Sequence, residues 1–154
     1  MTARRTRVLA PVSGTSLDVA DVPDPVFASG MVGPGVAIDP DRRPQVVVAP
    51  IAGRLVKLHP HAFVVLGPDG VGVLVHLGID TVRLQGAGFR LLAAEDDEVT
   101  AGQRVLDFDP AYVAGAGCSP ICAVVVMDCP LPAVPVHRSG AQVGAAEPIF
   151  DIGA

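Results

Sequence analysis

The chain has 154 residues, half of them hydrophobic, and a formal net charge of −5. This composition excludes intrinsic disorder, and the acidic balance argues against a nucleic-acid binder, which would need basic side chains to neutralise phosphates. No apolar run approaches the roughly 20 residues that a membrane helix needs, and Pro11 and Gly14 interrupt the amino-terminal run too early for a signal peptide. We therefore expect one cytoplasmic domain over residues 1–154, with residues 1–7 flexible.

Short apolar segments separated by glycine and proline follow one another along the chain. The predicted strands cover residues 8–12, 36–38, 46–48, 53–58, 62–66, 71–77, 83–84, 104–108, 121–127 and 147–152. Residues 21–24 are predicted as a loop and 26–35 as a glycine-rich connection, and only 91–95 and 110–114 look briefly helical. The pattern favours an all-β fold, an antiparallel β-sandwich or barrel of many short strands with at most one or two short helical turns.

Two similar turns stand 39 positions apart in this numbering. Ala10-Pro11-Val12-Ser13-Gly14 resembles Ala49-Pro50-Ile51-Ala52-Gly53, and each follows an apolar run. They predict duplicated halves of a β-sandwich, although a chain so rich in glycine and proline could also repeat the motif by chance.

A histidine stands in the most hydrophobic predicted strand of the chain. His76 is surrounded by valine and leucine, so burial of its titratable ring would cost free energy unless a partner satisfied it. If Pro68-Asp69 form a two-residue hairpin turn, His61 lies directly across from His76. If Gly70 instead adds a bulge to this turn, the register changes by one residue and His76 moves to the other face.

Two adjacent imidazoles allow three kinds of chemistry. They could hold a zinc ion with further ligands, or act as an acid and a base. Alternatively, one could attack phosphorus while the other donates a hydrogen bond to the transferred phosphoryl oxygens. The glycine-rich segments lack the Lys and Ser/Thr of a phosphate-binding P-loop.

The segment 70–82, Gly-Val-Gly-Val-Leu-Val-His-Leu-Gly-Ile-Asp-Thr-Val, closely resembles the phosphohistidine signature of glucose-type enzyme IIA domains of the bacterial sugar phosphotransferase system. Further similar segments occur in the family's order, at residues 21–27, 33–38, 48–53, 61–63, 86–89 and 102–108. The resemblance extends from about Val8 to Ile152.

This resemblance implies a phosphoryl relay. A histidine phosphocarrier protein would donate a phosphoryl group to Nε2 of His76, and a cysteine of enzyme IIB would receive it during sugar uptake. His61 would donate a hydrogen bond to the phosphoryl group in both steps. A backbone carbonyl near Gly78 would hold the other ring nitrogen of His76 and fix its tautomer.

The resemblance also implies a surface for the two protein partners. Asp24 and Asp80 fall on acidic positions that would face arginines of the partners, and an apolar collar would consist of Val26, Phe27, Met31 and Val32. No cofactor is required, because the phosphoryl group arrives activated, although His61 and His76 could bind zinc. The sequence does not identify the sugar or separate a carrier from a purely regulatory phosphoprotein.

The chain departs from the family pattern just before the second histidine. The loop is shorter and reads His59-Pro60-His61, and the threonine that supports the second histidine in the family is missing. His59 could take over that support, or His61 could be held differently.

Two other classes of protein are alternatives. A zinc peptidase could use His59, His61 and His76, but no acidic ligand precedes the histidine pair. A biotinyl or lipoyl carrier would need a lysine at a hairpin tip, whereas Lys57 lies in a predicted strand. The spacing of Cys118, Cys122 and Cys129 fits neither a zinc site nor a redox motif, so reduced structural thiols are expected.

Overall fold

The computed structural model describes residues 6–152, which form fourteen strands and two short α-helices. The strands are β1 (Thr6–Leu9), β2 (Gly14–Asp18), β3 (Gly35–Pro40), β4 (Gln45–Val48), β5 (Gly53–His59), β6 (Ala62–Leu66), β7 (Gly72–Leu77), β8 (Phe89–Leu91), β9 (Glu98–Val99), β10 (Arg104–Phe108), β11 (Cys122–Val126), β12 (Ala133–Pro135), β13 (Gln142–Val143) and β14 (Pro148–Ile152). The helices are α1 (Pro25–Ala28) and α2 (Pro110–Gly115), with 3₁₀ turns at Val19–Asp21 and Thr81–Leu84.

The strands form three antiparallel sheets. Eight strands pair in the order β13-β2-β3-β11-β7-β6-β5-β9, and two sheets of three strands have the orders β1-β14-β12 and β4-β10-β8. The predicted all-β fold with few helical turns is confirmed. Within the described residues no helix is long and apolar enough to cross a membrane.

Aliphatic side chains on both faces of the eight-stranded sheet are buried, but in two separate clusters. The main core joins all three sheets and contains such residues as Val75, Leu106 and Phe150. A smaller cluster, including Phe27 and Ala123, lies on the opposite face, which we call the outer face. Burial on both faces explains why β11 is a continuous apolar run rather than an alternating one.

The two Ala-Pro-x-x-Gly turns occupy equivalent positions in two similar halves. The Leu9 amide donates to the Pro50 carbonyl at 2.9 Å, and the Val48 amide donates to the Pro11 carbonyl at 3.0 Å. The sheets repeat the same order, because β1, β2, β3, β11, β12, β13 and β14 correspond to β4, β5, β6, β7, β8, β9 and β10. The second half, β4 to β10, is thus inserted between β3 and β11 of the first.

Local structure differs from the sequence prediction in several places, and the short strands β2, β8, β9, β12 and β13 were not predicted. Residues 83–84 belong to the 3₁₀ turn Thr81–Leu84 and not to a strand. Leu91 ends β8 and residues 92–95 follow it without helix, so the helical prediction at 91–95 is wrong, whereas the one at 110–114 is confirmed by α2. The connection at 26–35 begins with α1, whose first turn is capped by Asp24, since Oδ1 accepts from the Val26 amide at 2.9 Å. Of the segment expected to be flexible, residues 1–5 lie outside the described residues, and residues 6–7 pair with β14.

Candidate functional site

His76 lies on an interior strand of the eight-stranded sheet and points to the outer face. Its cross-strand neighbours are Ala62 on β6 and Ala123 on β11. The side chains on either side of it in β7, Val75 and Leu77, enter the main core, as strand alternation requires. Because both directly opposite residues are alanines, neither places a large side chain beside the imidazole.

The hairpin between β6 and β7 contains the extra residue that changes its register. Gly67 pairs with Val71 by a 2.8 Å hydrogen bond, so three residues stand at the tip, the last of which, Gly70, has φ of +80°. This is the bulged turn that the glycine permits. Of the two registers considered from the sequence, the bulged one is observed, so Ala62 and not His61 lies directly across from His76.

His61 nevertheless lies beside His76. The two ring centroids are 5.5 Å apart, and the ring planes meet at 71°. His61 belongs to the turn between β5 and β6 rather than to a strand, so the alternation of β6 does not fix its side-chain direction. Its carbonyl accepts a 2.7 Å hydrogen bond from the Leu77 amide, which ties this turn to the end of β7.

His59 adds a third imidazole to the row. Its ring stacks on His61 with the centroids 5.8 Å apart and the planes inclined by 22°. His59 is exposed, His61 is half-buried, and His76 is the most enclosed of the three. The shorter loop before His61 therefore places the imidazole of His59 against the imidazole of His61.

A backbone carbonyl orients the ring of His76. Nδ1 of His76 lies 2.6 Å from the carbonyl oxygen of Gly78. A carbonyl can only accept a hydrogen bond, so Nδ1 carries the proton and the lone pair of the neutral ring is on Nε2. Gly78 reaches this position with φ of +79°, a conformation that favours glycine.

Burial and charge act in opposite directions on these imidazoles. Burial lowers the pKa of His76 below its ordinary 6.5, while the hydrogen bond to Gly78 and the charges of Asp24 and Asp80 partly oppose this decrease. Burial also lowers the pKa of His61, and the nearby His76 and His59 add to the effect. Both rings are therefore neutral at pH 7, the form in which an imidazole is a nucleophile.

We expect the free energy of unfolding to fall on acidification. Because the pKa values of His61 and His76 are lowered in the folded state, the unfolded state binds more protons once the pH drops through about 6.5. Their contribution is complete above that pH and is lost progressively below it. Urea unfolding at pH 7.5 and 5.5 measures the effect, and the H61Q/H76Q double variant should show a smaller difference. An unchanged pH dependence in that variant would contradict this origin.

The predicted apolar collar divides into packed and exposed side chains. Phe27 is buried, with its ring centroid 5.3 Å from that of His76, and Val32 packs in the same small cluster. Val26 and Met31 are instead 49% and 79% exposed. The exposed pair is available to a partner, whereas Phe27 forms one wall of the site.

Two residues that the sequence analysis did not single out lie next to the site. Thr81 is buried, and its Oγ1 donates to the Leu77 carbonyl at 2.8 Å. Val82, two residues after Asp80 in the chain, is 63% exposed. Both residues belong to segment 70–82, so the motif included them. The motif alone did not show that Thr81 is buried and Val82 exposed.

The three cysteines are free thiols. Cys118 and Cys122 are buried, and Cys129 is half-buried. Burial raises the pKa of the Cys122 thiol to about 12, so this sulfur stays protonated and unreactive at neutral pH.

The three imidazoles of the row are not placed to hold one metal ion together. Among residues 6–152, no group of three or more His, Cys, Asp or Glu side chains is placed to hold a metal ion. His59, His61 and His76 follow one another in a row, with 5.8 and 5.5 Å between neighbouring centroids, whereas three histidine ligands of one zinc ion surround it at about 2 Å from each nitrogen. The geometry therefore offers no support for a zinc peptidase.

Several known proteins are similar to this chain in both sequence and fold. Residues 6–130 match the family described as phosphoenolpyruvate-dependent sugar phosphotransferase system, EIIA 1. The PTS system glucose-specific EIIA component of Halalkalibacterium halodurans is 39% identical over 142 residues, which are 91% of this chain and 81% of that protein. The solved glucose permease IIA from Mycoplasma capricolum superposes with a TM-score of 0.86 at 32% identity and covers 96% of both chains.

A further relative contains the same unit within a longer protein. The PTS system glucose-specific EIIBCA component of Corynebacterium glutamicum is 36% identical over 119 residues, 77% of this chain but 18% of that protein. The fold and these matches define a phosphoryl carrier, a phosphotransferase component with partners in a phosphotransfer chain. The chain belongs to the EIIA 1 family of the phosphoenolpyruvate-dependent sugar phosphotransferase system. The peptidase and the purely regulatory phosphoprotein gain no support from these comparisons.

Proposed function

We propose that Nε2 of His76 is the atom that carries the phosphoryl group. The observation that supports it most directly is the 2.6 Å contact between Nδ1 and the Gly78 carbonyl, which leaves the lone pair on Nε2. In the first step this lone pair bonds to phosphorus as the P–N bond of a donor phosphohistidine breaks, and the donor imidazole leaves. In the second step an acceptor thiolate bonds to phosphorus, the Nε2–P bond breaks, and His76 returns to its neutral form.

The charge of the phosphorylated ring fits the groups around it. With a proton on Nδ1 and phosphorus on Nε2, the ring of His76 carries positive charge. The Gly78 carbonyl and the carboxylates of Asp24 and Asp80 favour that charge, as their opposing effect on its pKa shows. The Gly78 carbonyl thus orients the unphosphorylated ring of His76 and stabilises the phosphorylated one.

His61 is proposed to donate a hydrogen bond to the phosphoryl group during transfer. Its ring lies beside that of His76, and it can donate from either nitrogen according to its tautomer. His59 is proposed to support this ring by stacking on its far side. Because burial lowers the pKa of both histidines, both rings are neutral when a partner approaches and do not repel each other.

We infer that the donor is a histidine phosphocarrier protein and the acceptor a cysteine of enzyme IIB. Asp24 and Asp80 stand close enough to His76 to affect its pKa, and the segment that follows Asp24 exposes the apolar side chains of Val26 and Met31. A partner with arginines around an apolar patch complements this face, and the net charge of −5 favours its approach. The reduced thiols fit a cytoplasmic location, and the names of the relatives make glucose the first sugar to test.

Phosphate mapping tests this function. Incubation with phosphoenolpyruvate, enzyme I and the histidine phosphocarrier protein should place one acid-labile, alkali-stable phosphate on the peptide that contains His76. The His137→Gln variant, altered outside the histidine row, should accept the same amount, and omission of the phosphocarrier should abolish labelling. Phosphate on another residue, or none, would refute the proposal.

A further inference from the structure

We propose that Thr81 is a positioning residue, which holds the loop after β7 so that the Gly78 carbonyl keeps the proton on Nδ1 of His76. The proposal deepens the function proposed above and rests on it for its catalytic consequence. The structural part, control of the His76 tautomer, can be measured without any phosphoryl transfer.

The hydroxyl of Thr81 is committed to the backbone of this loop. Thr81 is only 1% exposed, and Oγ1 donates to the Leu77 carbonyl at 2.8 Å. A buried hydroxyl without a partner costs free energy, so this bond resists separation of Thr81 from the end of β7. The bond spans Gly78, whose carbonyl contacts His76, and closes residues 77–81 into one hydrogen-bonded turn.

The methyl group of Thr81 packs against Gly78 in the same turn. A Cβ placed on Gly78 would stand 2.5 Å from Cγ2 of Thr81 and 2.9 Å from the Ser119 carbonyl oxygen. The side of the Gly78 α-carbon on which a side chain would stand is therefore closely packed by these two groups. The hydroxyl fixes the residue before Gly78, and the methyl group limits displacement of Gly78 itself.

Two further hydrogen bonds anchor the turn to the rest of the molecule. The Leu77 amide donates to the His61 carbonyl at 2.7 Å, and the Ile79 amide donates to the Ser119 carbonyl at 2.8 Å. Leu77 thus receives the Thr81 hydroxyl on its carbonyl and binds the His61 turn through its amide. Displacement of Thr81 should disturb both the orientation of His76 and the position of the second histidine.

The tautomer of His76 is the decisive measurement. In protein labelled with ¹⁵N-histidine, at a pH well above 6.5, the nitrogen chemical shifts should show His76 fully in the Nδ1–H form. Thr81→Val keeps the branched shape but removes the donor, so we expect a mixed population of tautomers. Thr15→Val, which removes a hydroxyl on β2, is the matched control and should leave the His76 shifts unchanged.

Kinetics supply the second measurement. The Thr81→Val variant should lower kcat for phosphoryl acceptance by about 10-fold while KM for the phosphocarrier stays close to wild type, since the docking residues are untouched. Retention of the complete Nδ1–H form in Thr81→Val would overturn the proposal. If this variant fails to fold, Thr81→Ser and Thr81→Ala replace it. Serine should keep the tautomer and alanine should lose it, and equal populations in the two would overturn the proposal.

The outcomes for the two proposals are separable. If phosphate maps to a residue other than His76, the proposed function fails, but the ¹⁵N shifts of the Thr81 variants still decide whether Thr81 controls the ring. If the shifts do not respond while His76 is phosphorylated, only the role of Thr81 fails.

Discussion

Substitution of His76 by glutamine is expected to abolish phosphoryl acceptance while the protein remains folded. The glutamine amide nitrogen has no available lone pair, so it cannot bond to phosphorus, and the rate should fall by ~10³-fold or more. His76 lies on the outer face between two alanines and outside the main core, so a polar chain of similar size is tolerated there. Labelling with phosphoenolpyruvate and the two general phosphotransferase proteins measures acceptance, and circular dichroism checks the fold.

His61→Gln is the informative comparison for this variant. Glutamine can still donate a hydrogen bond, so His61→Gln should accept phosphate slowly on His76 and pass it on more slowly still to enzyme IIB. Detectable acid-labile phosphate on His76→Gln would contradict the assignment of the carrier atom. Equal losses in the two variants would show that the histidines act as one unit, and His61 would then be essential rather than supportive.

Substitution of Gly78 by alanine should give the largest loss of stability at the site. The new Cβ would stand 2.5 Å from Cγ2 of Thr81 and 2.9 Å from the Ser119 carbonyl oxygen, and φ at this residue is +79°. Crowding and the left-handed backbone together should lower the free energy of unfolding by about 2–4 kcal/mol. Phosphoryl acceptance should also slow, because relief of the clash displaces the carbonyl from Nδ1 of His76. Urea unfolding and the labelling assay measure the two effects.

Gly70→Ala provides a control with the same backbone conformation and no crowding. Gly70 has φ of +80°, and a Cβ there would have no atom within 4 Å. The free energy of unfolding of Gly70→Ala should therefore fall only by the cost of the left-handed backbone, about 1 kcal/mol, and phosphoryl acceptance should be normal. Equal destabilisation by Gly70→Ala and Gly78→Ala would show that packing against Thr81 contributes nothing.

The sequence predicted the fold class from a repeated pattern, and it indicated His76 as the candidate carrier residue from a long one. Alternating apolar segments between glycines and prolines specify strands wherever they occur, and the motif around His76 extends over thirteen residues. The hairpin register depends instead on one residue, Gly70, which can either follow a two-residue turn or complete a bulged one. Hydrogen bonding across the whole sheet decides between these turns, and it cannot be inferred from the few residues around the turn.

The proximity of His61 and His76 was predicted for an incorrect reason. The two side chains meet because His61 sits in a turn that is fastened to Leu77, and not because they are paired across strands. Turn geometry of this kind depends on contacts from a neighbouring strand. For the same reason the sequence could not show that Thr81 is buried or that the 3₁₀ turn replaces a strand at 83–84.

The insertion of one half of the molecule within the other constrains the order in which the chain can fold. β3 and β11 are neighbours in the sheet, yet Ile38 and Cys122 are paired across a loop of roughly 80 residues, whose closure costs entropy before any contact repays it. If β4 to β10 fold first, that loop becomes compact and its two ends are brought close together. We therefore expect the half that carries both histidines to acquire hydrogen-exchange protection before β1 and β14, so that the phosphoryl site is formed on a nucleus which the remaining strands then enclose.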